Sequence, residues 1–149
     1  MKENIGITYI EILIVVVIVS ILSLSAIPVV ENTIKREKEL ELRRALRMIR
    51  TAIDEYKKAA DQKLFEYDEA TYGYPPDLET LVKGVKTKNG KVLKFLRRIP
   101  KDPMSEDGEW GLRSYQDDFD SNVWGGEDVY DVYSKSEEKA LDGTHYNEW

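Results

Sequence analysis

The chain has 149 residues, a formal net charge of −6 and no cysteine, which leaves room for one compact domain plus an appendage but not for two large globular units. The lack of cysteine excludes disulfides, thiol nucleophiles and Cys-based metal sites, and the single histidine, His145, excludes a Ser-His-Asp triad or a two-histidine metal site within one chain. Charge is segregated: residues 31–100 carry 17 basic against 12 acidic side chains, a net of +5, whereas residues 101–149 carry 4 against 14, a net of −10. Such a division suits head-to-tail matching between copies, a cation site in the acidic part, or two solvated faces of opposite sign.

In chain order, a polar leader of six residues, MKENIG, precedes an apolar run of 24 residues, 7–30, broken only by Thr8, Glu11, Ser20, Ser23, Ser25 and Ala26. As a helix this run would be roughly 36 Å long, enough for a hydrocarbon layer of about 30 Å. A cleaved secretory signal would have a shorter apolar region, about 7–15 residues, and a small-x-small site at its far end; Ser23-Leu24-Ser25 is a weak match. The run therefore reads as a membrane span.

No loop separates the span from the amphipathic stretch beyond it. Leu42, Ala45, Leu46, Ile49, Ala52, Ile53 and Tyr56 recur at helical spacing, with Arg43, Arg44, Arg47, Arg50, Asp54, Lys57 and Lys58 opposite them. Residues 31–40 contain no helix breaker, so one helix over 7–62 is expected, on the order of 80 Å long, with a first half that must protrude from a domain of this size. Its single proline, Pro28, removes a backbone donor and crowds the carbonyl of Leu24. It marks either the exit from the membrane or a weak point where the helix can kink or melt.

Tyr72-Gly73-Tyr74-Pro75-Pro76 predicts a turn, and Asp77 a cap for a short helix carrying Leu78, Leu81 and Val82. Residues 84–90 read as an exposed hairpin-like loop, and strands are expected at 91–99, 111–116 and 128–134. A long helix followed by a small antiparallel sheet is an α+β layout. The expected divisions are 1–6 leader, 7–30 apolar half of the stem, 31–63 amphipathic half and 64–149 globular head.

Glu11 is the only charge in the apolar run. A carboxylate in hydrocarbon costs about 2.5–3.5 kcal/mol on insertion scales and needs a partner, yet no Lys or Arg lies between Ile7 and Lys35. An α-amine freed at Ile7 of a neighbouring copy would serve; a glutamate near the membrane edge reaching headgroups and water is the plainer alternative.

These residues carry a family resemblance. Gly6-Ile7-Thr8-Tyr9-Ile10-Glu11 resembles the G-F-T-L-I-E motif of type IV prepilins and type II secretion pseudopilins, with Ile7 and Tyr9 in place of Phe and Leu, and Pro28 matches their stem proline. Tyr74-Pro75-Pro76-Asp77-Leu78, Ile99-Pro100-Lys101-Asp102-Pro103, Trp124-Gly125-Gly126 and Val129-Tyr130-Asp131-Val132-Tyr133-Ser134 are similar to the G-type major pseudopilin, so the resemblance spans the chain. It implies a non-enzymatic subunit, cut after Gly6 by a prepilin peptidase, N-methylated at Ile7 and assembled through Glu11. The expected partners are the membrane, further copies of itself, minor pseudopilins, and a platform protein with its ATPase. Single-pass inner-membrane insertion with an extracytoplasmic head follows from the motif, although Lys35, Arg36 and Lys38 against Lys2 favour the reverse by charge counting. The assembled fibre would lie in the periplasm for protein transport, or at the cell surface as a pilus for motility, adhesion or DNA uptake.

The same resemblance makes Ser134 and Asp142 candidate calcium ligands, in a segment that also holds Lys135 and Lys139; no other cofactor is expected. Asp118, Asp120 and Asn122 begin like an EF-hand loop, but Val123 and Val129 stand at its glycine and final carboxylate positions. Nucleic acid is not expected either, because no aromatic residue interleaves the arginines 43–50. Trp110, Trp124, Trp149 and the nearby tyrosines read as packing surface, and His145 as an exposed loop residue.

Overall fold

The computed structural model describes residues 8–149, for 24–30 the backbone alone. The element α1, Tyr9–Asp61, is one helix of 53 residues, as the unbroken pattern predicts. The chain divides into two compact units, 1–37 and 38–149.

In the first unit the side chains from Tyr9 to Ser23 are exposed all round the helix. Among the described residues no helix is long and apolar enough to cross a membrane; the apolar run is described with its side chains only over 8–23.

The second unit is built on the amphipathic part of α1. Leu42, Ile49, Ile53 and Ala60 are fully buried and form a continuous core with Leu81, Val129, Val132 and Tyr146, so the helical stripe becomes the floor of the head. Tyr56 adds aromatic packing, its ring centroid 5.0 Å from Phe65 and 5.2 Å from Phe95.

Beyond α1, α2 spans Leu78–Lys83. Asp77 caps it: its carboxylate accepts from the Thr80 N–H and hydroxyl, both at 2.7 Å. It stops at Gly84, where φ is 82° and a Cβ would lie 2.5 Å from the Leu93 carbonyl oxygen, so glycine is required.

The strands are shorter than expected and do not form one sheet. The first ribbon pairs β1, Val85–Lys86, with β2, Val92–Leu93; the second pairs β3, Trp110–Arg113, with β4, Asp131–Ser134; both are antiparallel. The segment 84–90, expected as a hairpin-like loop, does turn as a hairpin, closed by the Thr87 N–H donating to the Lys91 carbonyl at 2.8 Å, and its first residues also supply β1. The strand expected over 91–99 ends after Leu93 because the Phe95 and Leu96 amides both donate to the Leu81 carbonyl, at 3.0 and 2.9 Å. β3 ends before 114–116 because carboxylates take the next amides, Ser114 N–H donating to Asp117 and Tyr115 N–H to Asp128. Val129 N–H donates to the Pro75 carbonyl at 2.7 Å, which delays β4. The coarse α+β reading holds; the single sheet is corrected to two ribbons.

Candidate functional site

At the start of α1 the Thr8 carbonyl accepts from the Glu11 and Ile12 amides at 3.1 and 3.2 Å. Glu11 therefore sits in the first turn, where the helix dipole favours negative charge. Its side chain is exposed, and no described residue pairs with it. The apolar side chains around it are exposed too, from Tyr9 at 79% to Leu22 at 65%. The Ser20 and Ser23 hydroxyls turn inward and donate to the Val16 and Val19 carbonyls at 2.7 and 2.8 Å, so this surface presents few unsatisfied donors. The processing positions Gly6 and Ile7 lie outside the described residues. Pro28 falls within α1, and its side chain is likewise outside them.

A second carboxylate on the same helix escaped the sequence reading. Glu39 lies on the apolar stripe three residues before Leu42 and is 9% exposed. It accepts from the Leu141 N–H at 2.7 Å and the Tyr146 hydroxyl at 3.0 Å. Burial, then the bond to Glu39, pushes the Tyr146 phenol up from its ordinary value. A charge in a core register was the available signal, and its use is to hold the C-terminal segment on the stem.

Two of the four arginines considered for phosphate binding are taken internally. Arg50 makes a two-pronged contact with Asp131, at 2.7 and 3.2 Å, and donates to the Val132 and Trp149 carbonyls at 3.0 and 2.7 Å. Arg43 reaches Asp142 at 3.3 Å and stacks 4.1 Å over the Trp149 ring. Arg44 and Arg47 are exposed, and neither pairs with a described carboxylate.

The candidate calcium ligands are in different settings. Ser134 is fully buried at the end of β4, its hydroxyl oxygen accepting from Ser136 N–H at 3.2 Å. Asp142 is exposed and engaged with Arg43 and with the Thr144 hydroxyl at 2.6 Å; that hydroxyl is the main cause holding its carboxyl below the usual range. Lys135, inside the same segment, bonds Glu109 at 2.8 Å and Asp107 at 3.3 Å. Among the described residues no group of three or more His, Asp or Glu side chains is placed to hold a metal ion.

Of the tryptophans read as packing surface, Trp110 and Trp149 are at least partly covered, whereas Trp124 stays 38% exposed. Trp110 is buried, its indole N–H donating to the Pro100 carbonyl at 2.8 Å. Tyr74, Tyr115 and Tyr130 form a three-ring cluster with centroids 5.2–5.6 Å apart. His145 is partly covered rather than free, its Nδ1 2.7 Å from the Glu137 carbonyl, and it begins the 3-10 turn Tyr146–Glu148. Compared with known proteins, the chain matches no family model, no curated protein and no solved structure.

Proposed function

We propose that the chain is the precursor of a membrane-anchored structural subunit, polymerised into a helical pseudopilus for type II protein secretion, and that it is not an enzyme. The observation that carries the reading is the start of α1, where a helix apolar all round and exposed within one copy holds a single carboxylate, Glu11. Leaving a Val, Leu or Ile side chain in water forgoes about 1.5–3 kcal/mol each relative to burial. Eleven such residues over 10–22 therefore call for a cover of lipid or of other copies. Lipid alone leaves Glu11 unmatched; a bundle of copies with cut N-termini supplies both an apolar surround and an ammonium at Ile7.

Gly6 immediately before that segment is where cleavage would expose the amine. The head, with its two short ribbons and internally bonded Arg50, then serves as the fibre's outer layer. A secretion fibre is preferred to a surface pilus because the similar segments after Tyr74 are those of a major pseudopilin.

The test is the N-terminus of sedimentable polymer isolated from the native membrane. Mass spectrometry is expected to find an N-methylated Ile7. Met1 retained in assembled material, or a freely soluble monomer lacking its first 25 or so residues, as a secretory signal would leave it, would overturn the reading.

A further inference from the structure

Two features of the head are left unmatched within one copy. The first is the loop 117–127, which carries four carboxylates, Asp117, Asp118, Asp120 and Glu127, and no basic residue. Its tip presents Phe119, 90% exposed, and Val123, 77% exposed. This tip is built: Asp117 accepts from the Ser114 and Gly125 amides at 2.7 and 3.0 Å, and Arg113 donates to the Ser121 carbonyl at 2.9 Å. Asp118, Asp120 and Glu127 remain exposed, with no cation paired to them among the described residues. An ordered loop that holds an aromatic ring in water between carboxylates has the composition of an interface anchor with a polar rim.

The second is a recess of about 470 Å³ on one shoulder of α1. Ala45, Met48, Ile99 and Pro100 form its apolar floor, and Arg44, Arg98 and Lys101 surround it against the single acid Glu41. Met48 is 51% exposed, and none of the three cations pairs with a described carboxylate. Arg44 and Met48 lie on the opposite flank of the helix from Arg43, which Trp149 covers. Phe119 shares a different recess with Asn147 and Glu148, on the Trp149 side.

We propose that the acidic loop 117–127 of one copy docks in the basic recess beside Arg44, Arg98 and Lys101 of a second copy, with Phe119 on its apolar floor. The charges are complementary, three exposed carboxylates against three unpaired cations. The two patches lie on different flanks of the stem, so the contact is heterologous and propagates from copy to copy instead of closing into a dimer. This deepens the polymer reading above and rests on it.

The chain lacks cysteine, so an introduced pair reports only itself. Asn122→Cys in the loop and Glu41→Cys at the recess leave Phe119 and all three cations in place. Combined in one full-length chain, they are expected to give a ladder of oxidised oligomers in sedimentable polymer, with no ladder from either alone. Separately, Asp118→Lys/Asp120→Lys and Arg98→Glu/Lys101→Glu are each expected to lower the polymerised fraction about tenfold, and all four together to restore it to within about threefold of wild type. Polymer that forms without the cross-link, or reversed charges that do not rescue each other, overturns the docking and leaves the fibre reading standing. A wild-type chain that never polymerises in its native membrane overturns both.

Discussion

Two glutamates on one helix divide α1 into regions governed by different surroundings. Glu11 and Glu39 both interrupt apolar patterns, yet Glu39 is buried with two donors from the chain's own C-terminal segment, whereas Glu11 is exposed without a described partner. The same contrast holds for their neighbours: Leu42 and Ile49 are fully buried, and Ile12 and Val17 are 50% and 56% exposed. A carboxylate among apolar side chains thus means closure of a domain when the chain supplies donors, and association when it does not.

The comparison is sharpened most by truncating one apolar residue in each region. Ile49→Ala is expected to lower the stability of the head by about 2–5 kcal/mol, read by denaturant unfolding in detergent. Ile18→Ala should leave that transition unmoved, and an equal loss from Ile18→Ala would break the division. Glu39→Ala orphans the Leu141 amide and the Tyr146 hydroxyl and should cost about 1–3 kcal/mol, with earlier amide exchange over 138–149 as its local signature.

Glu11→Ala is expected to leave membrane insertion and head unfolding unchanged while lowering the polymerised fraction about tenfold, the effect of roughly 1.4 kcal/mol per contact. Normal polymer from that variant would remove Glu11 from its proposed role. The smallest effect belongs to Asp107, whose carboxyl is held down to about 2, first by the Ser105 hydroxyl and then by the Glu109 amide and Lys135. A depressed carboxyl adds stability that is fully present above its unfolded value of about 4 and is lost as pH falls toward 2. The difference in melting temperature between wild type and Asp107→Asn should therefore be small at pH 6 and vanish over that window.

Much of the fold could be read from the residues, for identifiable reasons. α1 was legible because its apolar positions from Leu42 to Tyr56 follow a period of 3.6 without a miss and no breaker separates them from the apolar run before, and the Asp77 cap because Asp before an apolar run offers its carboxylate to the amide three residues on. The strands were misjudged where other acceptors or donors intervene: Leu81 attracts two amides, and Asp117 and Asp128 attract one each from the end of β3. Those competitors lie 3 to 15 residues from the amides they capture, so local alternation carries no trace of them. Within the candidate site, the lone charge in the apolar run singled out Glu11, whereas Glu39 was hidden among the alternating charges of 35–44. Arg43 and Arg50 appeared as free cations for the same reason, their partners being 99 and 81 residues away.

What the sequence determined by itself was the existence of α1, the change from an all-round apolar surface to a one-sided stripe, and the separation of positive from negative halves. Each depends on residue type and period alone. Only the tertiary structure decided which charges are consumed inside the head and which remain outside, because pairing is a matter of distance between segments far apart in the chain. It is that selection that leaves Arg44, Arg98 and Lys101 on one face, and the carboxylates around Phe119 on another, without partners in the same molecule.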